Sequence, residues 1–321
     1  MGGRRPRGAV VLMFAALCGA AIVGCGGPSG EPPHFAAQWD GGGPEVGAFD
    51  YPEAVRVDPK GQLLIVDSWN DRILRLDPQG RAVLAFGTRG TEAGQLECPH
   101  AVAVDRQGNI YVADTWNHRM QKFSPGGEFL MQFGEYGKPV GNDEGDGLFR
   151  ATFGVAVDSE GSIYVSDYNN NRIQKFGPDG KFLTKWGIKG RQEGQLDHPA
   201  GLAVDSQDRL YVADLGNNRV QRFSKEGDFE AKWGKGGTEP GEFDRPYDVC
   251  VDGEGNVYVA DLGNHRIQKF TDRGKPVYVY GELGTGEGEL DCPMSVAVDR
   301  ANFVYVADWG NNRVQKFAPA S

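Results

Sequence analysis

The chain has 321 residues, a formal net charge of −10, 48 glycines and 39% hydrophobic residues. The acidic balance argues against nucleic acid or an anionic membrane face as a partner, because phosphate recognition runs on clustered basic charge. The glycine content favours many short strands joined by tight turns, since glycine enters positive φ without steric cost.

The first 25 residues read as a leader. Arg4, Arg5 and Arg7 form a basic region, and residues 9–23 form an apolar one that is short for a membrane-spanning helix, which needs roughly 20 residues. The leader closes on "IVGC", with the cysteine at Cys25, and "GGPSGEPP" follows. A small residue before a cysteine at this point resembles the bacterial lipobox. That resemblance implies cleavage before Cys25 and lipidation of Cys25, with Gly26 implying outer-membrane sorting where the source has two membranes. Residues 1–25 are therefore expected to be a lipoprotein signal peptide, 26–34 a flexible tether, and 35–321 the folded domain. The expected location is the bacterial cell envelope, with membrane contact through the lipid anchor alone. Loss of three leader arginines and no acids takes the net charge to −13. Cys18 leaves with the leader, and Cys98, Cys250 and Cys292 remain, an odd number for a disulfide framework.

Beyond the tether one stretch recurs six times: "LIVDSWNDRILRL", "YVADTWNHRMQKF", "YVSDYNNNRIQKF", "YVADLGNNRVQRF", "YVADLGNHRIQKF" and "YVADWGNNRVQKF". Their aspartates, Asp67, Asp114, Asp167, Asp214, Asp261 and Asp308, are spaced 47, 53, 47, 47 and 47 residues apart. A period of this size with strand-like content marks a propeller or solenoid. Each unit reads as four strands. The first ends at Asp58, Asp105, Asp158, Asp205, Asp252 or Asp299 and turns through a residue that tolerates left-handed backbone. The second alternates faces, the third is "RVQKF"-like, and the fourth ends on an aromatic residue such as Phe86, Trp186 or Tyr280. The sixth unit runs out before its fourth strand, whereas residues 35–39 match a fourth strand in register, with Trp39 standing 47 residues before Phe86. The expected fold is all-β, a six-bladed propeller of four-stranded blades closed by the N-terminal strand pairing with the C-terminal blade. Closure leaves only short, protected edges.

Six units of "VDxxGxxYVADxxNxRVQKF" type resemble NHL repeats over residues 35–317. The resemblance specifies the fold and leaves the function open. An Asp-x-x-Asn-x-Arg set repeated once per blade is read as architecture, its carboxylate and amide bonding turn backbone and its arginine bridging to a neighbouring element. His118 is the one member of the set singled out as a ligand candidate.

Function is then expected where equivalent positions differ. The loops from strand two to three and from strand four to one share a face, because strands alternate direction. On it, Trp69, Trp116, Tyr168 and Trp309 form an aromatic arc over units six, one, two and three. The one long insertion, between units two and three, borders that arc and clusters Asn142, Asp143, Glu144 and Asp146, which reads as a solvated acidic loop. At the start of the inner strands, Glu53, Arg56, His100, Tyr247 and Asp248 form a second candidate set at the channel mouth, where they could orient a small polar ligand.

The reading that follows is a binding or scaffold module, a monomer, that takes a protein, peptide or glycan partner on its loop face and needs no cofactor. The alternative is a metal-dependent lyase or lactonase-like enzyme at the channel mouth. Its ligands are hard to find: among His34, His100, His118, His198 and His265 only His118 and His265 are equivalent, three blades apart, so no three-histidine zinc site follows. A calcium centre of lactonase type finds only Glu53 and Asp248. No catalytic residue and no metal ligand is therefore assigned. The lipid anchor is tested by Cys25→Ser, which is expected to move the protein from the membrane to the soluble fraction; unchanged fractionation would refute it.

Overall fold

The computed structural model describes residues 31–44, 46–139 and 145–319. The leader with Cys25, and Asn142, Asp143 and Glu144 of the insertion, lie outside the described residues.

Each unit folds as a four-stranded antiparallel sheet. Blade one runs Pro52–Val57, Leu63–Asp67, Arg72–Leu76 and Ala82–Phe86. The inner strand of every blade touches the inner strands of the blades on both sides, and blade six touches blade one, so the ring is closed. Blade six supplies Pro293–Val298, Val304–Asp308 and Arg313–Ala318, and its fourth strand is His34–Trp39, which pairs antiparallel with Arg313–Ala318. Phe35 lies opposite Phe317, and Trp39 opposite Val314. The insertion lies between two short parallel strands, Glu135–Tyr136 and Leu148–Phe149, which widen a single bridge present in other blades.

The second strands differ from the alternating pattern. All five residues of each are buried, in all six blades. Every sheet is sandwiched between two others, so a middle strand has no wet face. Tyr111, Tyr164, Tyr211 and Tyr258 sit fully buried there, each phenol donating to the aspartate that ends its first strand.

Blades interlock at their outer corners by aromatic rings laid on glycine. Trp39, Phe86, Phe133, Trp186 and Trp233 each cover the glycine in the next blade's turn between strands three and four: Gly80, Gly127, Gly180, Gly227 and Gly274. A Cβ at Gly227 would stand 2.6 Å from the Trp186 ring and one at Gly80 only 1.9 Å from Trp39, and both glycines have positive φ. Glycine is required twice over, by backbone and by contact. Trp39 thus enters the same interlock as the other four rings, which fixes the N-terminal strand as part of the ring.

The repeated aspartate is the hub of each blade. Asp214 has no exposure; Oδ1 accepts the Asp197 N–H at 2.8 Å, and Oδ2 accepts from Asn217 Nδ2, Arg219 Nε and Gln221 Nε2 at 2.9, 2.7 and 3.0 Å. Arg219 then spans to the carbonyls of Arg191, Gln192 and Gln195, tying down the loop that enters the blade. The glutamine is a member that the motif reading did not include. Burial raises the carboxyls of Asp67, Asp167, Asp214 and Asp261 above the usual carboxylate range, against the pull of their donors. A hub of this kind is costly to assemble and costlier to break, because removing one partner strands the other's charge.

Removing residues 26–40 would leave blade six with three strands and uncover Gly80. The expected loss is at least about 3 kcal/mol, on the order of 10 °C in melting temperature for a domain of this size. A truncated protein that melts with the full domain would contradict closure by this strand.

Candidate functional site

The loop face is built from the same corner in every blade. Each hub aspartate leads into one 3-10 turn that ends on a left-handed residue: Asp71, His118, Asn171, Asn218, His265 or Asn312. The side chain of that residue accepts a backbone N–H from the loop entering the next blade. Asp71 takes Cys98, His118 takes Ala151, Asn171 takes His198, Asn218 takes Arg245, His265 takes Cys292, and Asn312 takes Tyr51, at 2.8–3.1 Å. All six donors also have positive φ. This clasp joins each blade to its successor at a position where only residues tolerant of left-handed backbone serve.

His118 therefore performs the task that asparagine performs elsewhere. Its Nδ1 is occupied by the Ala151 N–H, its ring lies 4.8 Å from Tyr136 of the insertion, and burial lowers its pKa. His265 performs the same task in blade five. It lies with Asp291 and Cys292 in a group whose donor atoms are within 4.8 Å of one another, but its Nδ1 accepts the Cys292 N–H, and burial pushes the Cys292 thiol up to about 12. The clasp accounts for this cluster. In the insertion, Asp146 meets Lys185 Nζ.

The aromatic arc is a packed row rather than a set of separate rings. Tyr51, absent from the motif reading, stands between Trp309 of blade six and Trp69 of blade one, its ring centroid 4.6 Å from each. Trp69 also borders a narrow hollow shared with Trp116 of blade two and lined by Asp71, Arg89 and Cys98. All four rings are half-buried. Tyr168 leaves the row: it stacks at 4.1 Å on Phe153 towards the axis and meets His198 at 4.8 Å, and burial, with Asp197 nearby, pushes its phenol up to about 12.

At the channel mouth the second candidate set separates into two pairs. Arg56 and Asp248 are joined across the axis, Nη1 to Oδ2 at 2.8 Å and Nη2 to Oδ1 at 2.9 Å. Ser295 donates to Asp248 Oδ2 at 2.6 Å, and Arg56 also donates to the Val55 carbonyl. Burial opposes the Arg56 charge, but Asp248 holds the guanidinium above its ordinary value. A Cβ on Gly201 would lie 2.2 Å from Asp248 Oδ1, so glycine there makes room for the pair. The other group is Glu53, whose carboxylate lies against His100 Nδ1, with the Tyr247 hydroxyl 3.5 Å from the same nitrogen. Burial, with Glu53 beside it, pushes the Tyr247 phenol well above its usual range. Phe153 stacks on His100 at 4.4 Å and packs with Ala200, Leu215, Tyr247, Leu262 and Met294. That apolar plug leaves a cavity of about 20 Å³, room for a single water.

The NHL repeat family matches residues 96–123, 154–176, 196–223, 243–270 and 290–317, the hub and clasp regions of blades two to six. The chain is an NHL-repeat protein. Blade one, outside those matches, completes the ring of repeats with Leu64 and Leu74 where the other blades have tyrosine and glutamine. One stretch of 54 residues is 41% identical to the Drosophila melanogaster Protein brain tumor, covering 17% of this chain and 5% of that protein. Among solved structures, a gluconolactonase from Xanthomonas campestris matches with a TM-score of 0.65 at 14% identity, over 94% of this chain and all of that one. A streptogramin B lyase matches with a TM-score of 0.58 at 17% identity, over 85% and 94% of the two chains. At these identities the likeness is one of fold.

The Arg56–Asp248 pair is expected to behave as a staple of the NHL propeller. Arg56→Ala should cost about 3 kcal/mol or more by leaving Asp248 buried and unpaired, whereas the Arg56→Met/Asp248→Leu double variant should recover most of the loss. Chemical denaturation of the three proteins measures this, and a harmless Arg56→Ala would refute it.

Proposed function

We propose that this NHL-repeat propeller is a binding module that holds its partner on the loop face over blades six, one and two, displayed from the bacterial envelope through Cys25. The observation that carries the reading is the row Trp309–Tyr51–Trp69 with Trp116 beside it: large rings, half-buried and gathered in one sector, with Trp69 and Trp116 in a column that carries asparagine or glycine in the other four blades. The hub and clasp residues recur in every blade and spend their hydrogen bonds on the scaffold. The row is confined to one sector, where the Tyr51 N–H serves the clasp and its ring meets Trp309 and Trp69. Rings of this type anchor interfaces because they bury much area at small entropic cost. An enzymatic site at the channel mouth has the Glu53–His100–Tyr247 group in its favour, but substrate would first have to displace the Phe153 and Met294 plug.

The immobilised domain is to be screened against displayed random peptides and a glycan array, and the selected ligand titrated against two variants. Trp69→Ala/Trp116→Ala is expected to lose at least about tenfold in affinity and to melt within a few degrees of wild type, since aromatic anchors cost about 2 kcal/mol or more at interfaces. Arg219→Ala, in blade four, is expected to lower the melting temperature and to bind normally below it. A tryptophan pair that melts sharply lower and binds as wild type would overturn the reading.

A further inference from the structure

One column of the loop face is fixed by hydrogen bonding in all six blades. Asp50, Glu97, Arg150, Asp197, Asp244 and Asp291 each donate their backbone N–H to Oδ1 of the hub aspartate 17 residues on, at 2.7–2.8 Å. Their carbonyls accept the N–H of the second residue after that hub, which is Trp69, Trp116, Asn169, Gly216, Gly263 or Gly310. The side chains of the column differ in what they meet. Glu97 pairs with Arg89 at 3.1 Å, Asp197 with His198 and Lys189, and Asp244 with Arg245 at 3.2 Å, while Asp291 meets His265 at 3.3 Å. Of the five acids, Asp50 alone has neither a hydrogen bond nor an ion pair on its carboxylate among the described residues.

The cause is steric. Where glycine stands two residues after the hub, the carboxylate lies over it: a Cβ on Gly216, Gly263 or Gly310 would come within 2.2–2.8 Å of the carboxyl group of Asp197, Asp244 or Asp291. Trp69 has that Cβ and an indole beyond it, so the seat is closed to Asp50. Glu97, beside Trp116, is one methylene longer and reaches Arg89. Asp50 is left half-buried next to Tyr51 and Trp69, at the centre of the aromatic row. The sequence around it offers no counter-charge. Residues 281–292 and 40–51, which enter blades six and one, contain four and three acids and no lysine or arginine, whereas each loop entering blades three, four and five contains two.

We propose that Asp50 and the Trp309–Tyr51–Trp69 row take an arginine side chain of a peptide partner. This rests on the loop-face reading and names the chemistry recognised there. A guanidinium is planar, weakly hydrated and forked, so it lies against aromatic rings and gives two N–H groups to one carboxylate. A lysine ammonium gains the attraction of the rings without the fork. A neutral sugar donates to the carboxylate but leaves the field of the two acidic loops unanswered. The partner's arginine thus supplies in trans the cation that Arg89 and Arg245 supply in cis to Glu97 and Asp244.

The test titrates the domain, labelled with nitrogen-15 in its tryptophan indoles, with the N-acetyl amides of L-arginine, L-lysine and L-citrulline, the last an uncharged isostere of the first. The arginine amide is expected to shift the Trp69 and Trp309 indole signals saturably in the millimolar range. The lysine amide should bind at least about threefold more weakly and the citrulline amide at least about tenfold more weakly. Asp50→Asn is expected to lose about tenfold in affinity for the arginine amide and to melt with wild type, since its carboxylate makes no scaffold contact. Glu226→Gln removes the same charge from an exposed turn on the opposite face and is expected to bind within about twofold of wild type. The absence of saturable shifts, an arginine amide no tighter than either of the others, a folded Asp50→Asn within about twofold of wild type, or equal losses in the two variants would overturn the proposal. Library-selected peptides separate this failure from the broader one. Peptides that lose binding to Trp69→Ala/Trp116→Ala but need no arginine and ignore Asp50→Asn would sink the arginine site and leave the loop face standing. Peptides indifferent to both variants would sink the two together.

Discussion

Six carboxylates with no exposure sit at the ends of the second strands, and burial works against every one of them. They remain because each is surrounded by donors that nothing else in the blade could satisfy as well: the incoming loop's N–H, the asparagine amide, the arginine Nε and, in five blades, a glutamine amide. The hub fixes where strand two ends, where the 3-10 turn begins and where the loop from the previous blade must pass. The clasp then sits one step beyond it, and the rings of the loop face sit on the turn that both define. Loss of a hub would therefore reach the face through geometry, whereas loss of a ring would not reach back.

Much of this was legible as repetition. The period, the blade count, the N-terminal closing strand and the architectural reading of Asp67 and its five equivalents rest on residues that recur at fixed spacing. Periodicity sees what each blade does for itself, and it is weaker on what one blade does for the next. The clasp left its trace as a column of Asp, His and Asn, residues that tolerate left-handed backbone. The partner it holds is a main-chain N–H with no sequence signature, so His118 read as an exception when it is one of six. The glutamine of the hub was visible in "VQKF" but passed as an ordinary strand residue. The second strands read as alternating because a lone sheet has a wet face, and a sheet stacked between two others does not.

The loop face and the channel were legible as places and less so as contacts. Trp69, Trp116 and Trp309 stood out by breaking the repeat. Tyr51 did not, because its column is mixed, and yet its ring joins two of those tryptophans. At the axis, five residues picked as one set resolve into a cross-ring ion pair and a Glu53–His100–Tyr247 group under an apolar plug. Charge and position were readable; which groups would spend themselves on each other depended on blade geometry, including the space that Gly201 leaves for Asp248. The functional assignment follows that division, since groups already satisfied by the scaffold have little left to offer a partner.

The central claim is that stability resides in the columns that repeat and recognition in the sector that does not. Its most direct test is a saturation mutational scan of the displayed domain, scored in one experiment for surface level and for binding of a selected peptide. The account predicts that substitutions at the six hub aspartates lower display whichever blade they strike. Substitutions at Tyr51, Trp69, Trp116 and Trp309 should keep display and lose binding. Hub positions tolerant of substitution, or binding losses spread evenly around the ring, would contradict it.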